Sequence, residues 1–229
     1  MFTSENIKPA FKAAIPIMLG YVAIGIPCGI LSSSIGLDAV QVFLMCALFY
    51  SGAGQFMIPN MWLAASPIAS IILSVSFVNT RQMLYSAAFA PWCEGVSKRL
   101  AFWFSATVTD ESFGVNTKMF EQGGWSVERA TFVNVFSQSS WTVSCVIGVL
   151  VGNAIGIPLA IAAFAMTSIF ICLLVTQKFT AANVVAAVCA ILGVFVCKLV
   201  GLTGPAIFFG AIIGVVCAIV FSRVKEKVS

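Results

Sequence analysis

Two stretches of this chain, residues 40–80 and 130–177, contain no aspartate, glutamate, lysine or arginine. Tracts of that length without a charge cannot form the outside of a domain bathed in water. The charges that exist collect between apolar runs, many of which reach the ~20 residues a helix needs to cross the bilayer core. Charged residues make up 9% of 229 and hydrophobic residues 60%, against about 25% charged in an ordinary soluble domain. The alternation of an outer-membrane barrel is absent. The sequence therefore predicts an all-α fold: one polytopic transmembrane helix bundle over residues 1–229.

Candidate spans are 13–36, 40–58, 61–92, 100–118, 130–152, 157–177, 180–198 and 203–222, about eight in all. The run after Lys8 and Lys12 is too long for a signal-peptide core and reads as a retained span. The stretch 61–92 exceeds one ordinary span, so it is tilted, broken near Asn79, or two pieces. With eight crossings both termini lie on one side. Lys8, Lys12, Lys118, Arg129, Lys178, Arg223, Lys225 and Lys227 then share that side, and Lys98, Arg99 and Lys198 the other. The positive-inside rule makes the richer side cytoplasmic.

Several chemistries are excluded. The chain has no histidine, which removes histidine metal sites, Ser-His-Asp hydrolysis and histidine proton relays. Its eight cysteines lie mostly within apolar runs without C-x-x-C spacing and read as small buried residues. No nucleotide-binding loop is present. No enzymatic activity, cofactor or metal is expected, and the net charge of +4 speaks to orientation rather than to nucleic acid.

The polar residues inside apolar runs carry the information. Asp110 and Glu111 fall near the middle of 100–118, and Arg81 is the base hardest to place at a water boundary. An ion at the bilayer centre costs at least ~2.5–3.5 kcal/mol, so such groups face a partner or a watery cavity. Helical spacing puts Ser66, Ser70, Ser74, Arg81 and Tyr85 on one face of an unbroken 61–92 helix. It puts Ser105, Thr109, Ser112 and Asn116 on one side of 100–118, with Thr107, Asp110, Glu111 and Gly114 on the other. In 130–152 a seam forms from Asn134, Gln138, Trp141, Cys145, Gly148 and Gly152. Two readings stand: a shared hydrophilic pathway, or an ion pair and interhelical hydrogen bonds that only hold helices together.

Backbone breaks are the other signal. Pro27 within Gly25-Ile-Pro-Cys-Gly29 removes a helical donor, and Ser51-Gly52-Ala53-Gly54-Gln55 is rich in helix-weakening glycine. Both predict interrupted helices, whose free ends can hold a carboxylate. Glycines four apart (Gly25/Gly29, Gly148/Gly152/Gly156, Gly210/Gly214) also predict close helix approach. A short similarity between Gly29-Ile-Leu with Ile35-Gly36-Leu37 and Gly148-Val-Leu with Ile155-Gly156-Ile157 is compatible with an internal repeat.

Four motifs in order carry a resemblance. They are Pro16 and Gly20-Tyr21 leading to Gly25-x-x-x-Gly29; Ser51-Gly52-Ala53-Gly54-Gln55-Phe56; Asn79-x-Arg81 with Leu84-Tyr85; and Thr109-Asp110-Glu111-Ser112-Phe113. Over nearly its whole length the chain resembles the AzlC family, the large subunit of branched-chain amino acid exporters. The Ser-Gly-Ala-Gly order departs slightly from the family's alanine–glycine pair. The resemblance implies export of leucine, isoleucine and valine, with methionine at the margin, across a bacterial inner membrane, with a small hydrophobic AzlD-like partner subunit. Substrate contacts are expected from Gly25, Gly29, Ser51, Gly52, Gly54, Gln55, Asn79, Arg81 and Tyr85, and ion coupling from Asp110 and Glu111. The rival expectations are a channel or exporter for another small solute, and a scaffold whose partner forms the pathway.

Overall fold

The computed structural model describes residues 4–155, 159–176, 179–201 and 206–228. Within them the chain is helical, with ten α-helices and no strand among the described residues. They are α1 (Ser4–Ser33), α2 (Ala39–Leu48), α3 (Gly52–Leu63), α4 (Ile68–Ala88), α5 (Lys98–Ala106), α6 (Asp110–Glu121), α7 (Val127–Ile155), α8 (Leu159–Thr176), α9 (Ala181–Leu199) and α10 (Ala206–Val228), with a 3-10 turn at Ala90–Cys93. Among the described residues Glu5–Ser33, Val127–Gly152 and Ala181–Leu199 are long and apolar enough to cross a membrane unaided. Large apolar side chains such as Leu48, Met83, Leu84, Ile191 and Leu199 stand exposed on the outside. That surface suits hydrocarbon, where helices with internally satisfied backbones are the stable solution.

The chain divides into two compact units, Met1–Asn60 with Asn79–Met166, and Met61–Val78 with Thr167–Ser229. In the second unit α9 and α10 pack together through small residues. A Cβ on Gly210 would meet the Ala190 carbonyl at 2.9 Å, and one on Gly214 would meet the Ala190 Cβ at 2.9 Å. The expected Gly210/Gly214 face is thus an internal helix contact.

The first unit is organised by α1 and α7. Contacts pair Asn6 with Glu128, Met18 with Ser140, Tyr21 with Trp141, and Gly29 with Gly148. Partners advance together along both helices, so the two run parallel. A Cβ on Gly29 would strike the Cys145 carbonyl, and one on Gly148 would strike the Ile26 carbonyl. This reciprocal contact is a local two-fold relation centred on the residues whose sequences match. Gly156 and Ile157, the rest of that match, lie outside the described residues.

Here one expectation fails. Helix α1 is continuous through Pro27, and through Pro9 and Pro16 as well. The Gly25–Gly29 segment is not a break but the flat face on which α7 lies. Tight packing over this stretch overrides the local preference of Ile26-Pro27, and neighbouring helices commonly tolerate proline in membrane spans.

Two other spans are broken. The 40–58 run divides at Phe49–Ser51 into α2 and α3. Asp38 caps α2 through a reciprocal capping box with Gln41, which satisfies donors at the helix start. The expected 100–118 helix divides at Thr107–Thr109 into α5 and α6, so the polar stripes drawn on one continuous helix do not exist. Thr109 and Ser112 form a capping box that starts a new helix there. Asp110 and Glu111 thus occupy the first turn of α6, where the dipole favours carboxylates, and not the middle of a helix. The 61–92 stretch separates at residues 64–67, where Ala65 has φ 53° and Pro67 opens α4. Asn79 sits inside unbroken α4, and Ser66 lies in the turn outside it.

Below the site, Phe89 anchors an aromatic core with Phe104 at 5.1 Å, Phe113 at 5.0 Å and Phe120 at 5.6 Å between ring centroids. Leu100, Val108, Val127 and Ala130 complete it. This cluster ties the end of α4 to α5, α6 and the start of α7, fixing where α6 begins.

Candidate functional site: two helix breaks around an acidic pair

The adjacent acids are held differently. Asp110 receives Arg81 on Oδ2 at 2.9 Å and the Tyr85 hydroxyl on Oδ1 at 2.6 Å. Arg81 and Tyr85 stand one turn apart on α4, so the helix presents both donors to one carboxylate. The Arg81 and Asp110 side chains remain 29% and 18% exposed; the pair borders open space and is not sealed in packing.

Glu111 takes a single neutral donor, the Tyr21 hydroxyl from α1, on Oε2 at 2.7 Å. A tyrosine has one proton to give. The 2.8 Å contact between Tyr21 and Thr109 Oγ1 therefore has threonine as donor. Tyr21 links α1, the α5–α6 break and an acid in one chain of bonds.

The other break supplies the opposite wall. Ser51 donates to Asn79 Oδ1 at 2.6 Å and accepts from the Gly54 amide at 3.2 Å, capping α3 while tying it to α4. Gln82 donates to the Tyr50 carbonyl at 3.3 Å. Tyr50 is buried and lies beside Tyr21, Thr109 and Glu111. The Trp141 ring lies where a Cβ on Gly52 would meet it at 3.5 Å, and it meets Tyr21 edge-on at 5.2 Å between centroids. Phe56 packs on its other side at 6.4 Å. One apolar wall thus runs between the two breaks.

The α7 seam forms as expected, and its job is visible. Breaking a helix strands carbonyls at the end of its first half, and α7 with α3 satisfies them. Gln138 Nε2 donates to Cys46 O at 3.2 Å, at the end of α2. Gln55 Nε2 donates to Phe49 O and Met45 O, while its Oε1 accepts from Trp141 Nε1 at 2.7 Å. At the other break Asn134 Nδ2 donates to Phe104 O and Thr107 Oγ1, both at 3.2 Å. Its Oδ1 accepts from Asn116 at 3.1 Å.

Of the residues expected at a site, Ser51, Gly52, Asn79, Arg81, Tyr85, Asp110 and Glu111 come together. Gln55 is fully buried and spends its amide on backbone and Trp141. Gly54 packs under the Phe49 ring, where a Cβ would lie 2.8 Å from it. Gly25 and Gly29 sit in the α1–α7 contact. Tyr21 and Tyr50 were not expected as site residues. A signal for them existed: the chain has 3 tyrosines against 20 phenylalanines, and all 3 gather at the acids. A phenol in a membrane protein needs a partner for its hydroxyl.

Comparison with known proteins matches residues 16–155, more than half the chain, to the family described as AzlC protein. The chain belongs to the AzlC family. The matched region holds both breaks, both acids and the whole of the site. Among relatives of this AzlC-family chain, an "Uncharacterized membrane protein" of Helicobacter pylori (strain ATCC 700392 / 26695) is 28% identical over 174 residues, 76% of each protein. The Bacillus subtilis (strain 168) "Branched-chain amino acid transport protein AzlC" is 26% identical over 175 residues, 74% of this chain and 67% of that protein. "Inner membrane protein YgaZ" of Escherichia coli (strain K12) is 24% identical over 155 residues, 66% of this chain and 63% of that one. No solved structure matches. With its apolar helices and these relatives, the AzlC-family chain is a membrane protein.

Proposed function

We propose that this AzlC-family protein exports branched-chain amino acids (valine, leucine and isoleucine, with methionine at the margin) across the cytoplasmic membrane. It acts as the large subunit of a two-component secondary transporter whose small hydrophobic partner is AzlD-like. The observation that carries this reading is the meeting of two broken helices around an acidic pair that is not sealed from its surroundings. Half-helix ends at the centre of a bundle are how secondary transporters hold ions and zwitterions. The Bacillus subtilis relative, a branched-chain amino acid transport protein, supplies the substrate class.

In this reading Asp110 is a fixed counter-charge to Arg81, and Glu111 exchanges the coupling proton. Protonation removes charge from Glu111 and changes the surroundings it prefers, which biases one access state over the other. Both termini face the cytoplasm. The parallel course of α1 and α7 agrees with an odd number of crossings between them, three in the eight-span count, and the surplus of lysine and arginine on the side of the termini supports the cytoplasmic assignment.

The test is valine counterflow in vesicles containing this chain alone, its small partner alone, and both. Transport requiring this chain, with a pH dependence that Glu111→Gln flattens, supports the proposal. Normal valine export by Asp110→Asn and Glu111→Gln, with unchanged pH dependence, would remove the coupling role. Transport by the partner alone would leave this chain a scaffold.

A further inference from the structure

Contacts along α7 fix the course of α5 and α6. Leu100 on α5 and Phe120 on α6 share one cluster with Val127 and Ala130, and the Phe104 and Phe120 rings lie 6.3 Å apart. In one straight helix Leu100 and Phe120 would be about 30 Å apart. Further along α7, Asn134 donates to the Phe104 carbonyl and accepts from Asn116. The chain therefore climbs α5 beside the start of α7, turns at Thr107–Thr109 and returns down α6. Both outer ends of this pair lie at the N-terminal end of α7.

The first break folds back as well. Gln55 on α3 donates to the Met45 carbonyl at 3.3 Å and accepts from the Cys46 thiol at 3.5 Å. A helix running straight on would carry Gln55 out of their reach. Helix α4 gives the direction. Its Asn79 bonds Ser51, its Tyr85 bonds Asp110 and its Phe89 packs on Phe120. Helix α7 meets the Phe120 cluster at Val127 and Gln55 at Trp141, so α4 runs antiparallel to it and starts toward the opposite face. Residues 64–67 join α3 to α4, and α3 thus climbs back to the face from which α2 descended. The four pieces have 10, 12, 9 and 12 residues. Each spans about 14–18 Å, half of a ~30 Å bilayer core.

We propose that α2–α3 and α5–α6 are re-entrant hairpins entering from opposite membrane faces, and that their tips, meeting where Tyr50 lies against Tyr21 and Thr109, form the barrier of the pathway. Such non-helical tips are tolerated at membrane depth when protein or a watery cavity surrounds them. Asp110, Gly114 and Lys118 follow at steps of four along α6. Gly114 and Lys118 are exposed, and this face leads from the acids to the inner side. Charge supports the course independently. Replacing two of the eight spans by hairpins leaves six crossings, with one between α1 and α7, and the termini stay cytoplasmic. Lys98 and Arg99, which eight spans put outside, join the inner side and leave Lys198 as the one cation assigned opposite, as the positive-inside rule favours. The barrier role rests on the transport reading; the hairpin course does not.

The test is labelling with a membrane-impermeant maleimide in intact and permeabilised cells that make the full chain with its small partner. All variants carry Cys93→Ser, and that protein alone gives the blank. Ala64 and Glu94 are exposed, and the two topologies put them on opposite faces. With hairpins, Ala64→Cys reacts in intact cells and Glu94→Cys only after permeabilisation. Either residue on the other face overturns the hairpins. Gly114→Cys reads the barrier, because nothing lies within 4 Å of a Cβ there; it is expected to react only from inside. Tyr50→Ala or Tyr21→Ala, by emptying the tip contact, is expected to raise its labelling in intact cells about tenfold. Unchanged protection in a variant that melts like wild type overturns the barrier role. No readout uses a substrate: the hairpins can fail with the export reading intact, and a chain that moves no valine can still have them.

Discussion

Tyr21 on α1 donates its hydroxyl to Glu111 of α6 at 2.7 Å, bridging 90 positions of sequence. The neighbouring acid, Asp110, is held instead by a cation and a second tyrosine. Two adjacent carboxylates are thereby given different tasks. Glu111→Gln preserves a group able to accept from Tyr21, so the fold is expected to persist while the pH dependence of counterflow disappears. Asp110→Asn leaves Arg81 without its counter-charge and is expected to lower stability by about 1–3 kcal/mol, reduced from a fully buried pair by its partial exposure. Thermal unfolding of both variants beside the transport assay separates the roles. A flat pH profile in the Asp110 variant alone would reverse the assignment.

Arg81 and Tyr85 bind separate oxygens of Asp110, which makes their losses distinguishable. Tyr85→Phe removes one neutral donor and is expected to cost about 0.5–2 kcal/mol, the range for membrane hydrogen bonds. Arg81→Met removes the charge and is expected to cost more, with partial recovery when combined with Asp110→Asn. A double-mutant cycle on unfolding temperature checks this. Strict additivity would show that the pair is not coupled.

Gln55, Gln138 and Asn134 hold the carbonyls that the two breaks expose. Gln55→Met keeps the length and apolar stem but orphans the Phe49 carbonyl and the Trp141 indole donor. Each orphaned buried group costs about 1–3 kcal/mol, so this variant is expected to be less stable than Ser51→Ala. Circular dichroism melts of the two proteins decide the order. An unchanged melt for Gln55→Met would mean the amide bonds contribute nothing to holding the break.

The contact between α1 and α7 predicts a sharp contrast between glycines. Gly29→Ala drives a methyl into the Cys145 carbonyl, where backbone faces backbone and neither can yield cheaply. Loss of about 1–3 kcal/mol or failure to assemble is expected. Gly20 lies on the same helix with nothing within 4 Å of a built Cβ, and Gly20→Ala is expected to be neutral or slightly stabilising. Equal expression and melting of both variants would contradict the packing.

Much of this was legible in advance because hydrophobicity is additive along a chain. The uncharged tracts fixed a helical membrane bundle, and the α7 seam was readable because a straight helix keeps its 3.6 period. The break at Phe49–Ser51 was readable only in part: the glycines of Ser51–Gln55 marked the place, but Gly52–Gln55 form the first turn of α3 and the interruption lies just before them. The Gly25–Pro27–Gly29 segment misled for the same reason: proline and glycine report local preference, while the surface of α7 decided the outcome. The break at Thr107–Thr109 was hidden because threonine and valine do not stop a helix by themselves; only the capping box of Thr109 with Ser112, stabilised by neighbours, does so.

From the residues alone came the environment: which segments require lipid, and that Arg81, Asp110 and Glu111 require something other than lipid. Folding in three dimensions settled the pairing. Arg81 could have met either acid, and three scattered tyrosines could have pointed anywhere. A charge's need for a partner is local and can be read from one position. The partner's identity depends on which helices lie side by side, and that is set by contacts between glycine faces and carbonyls far apart in the chain.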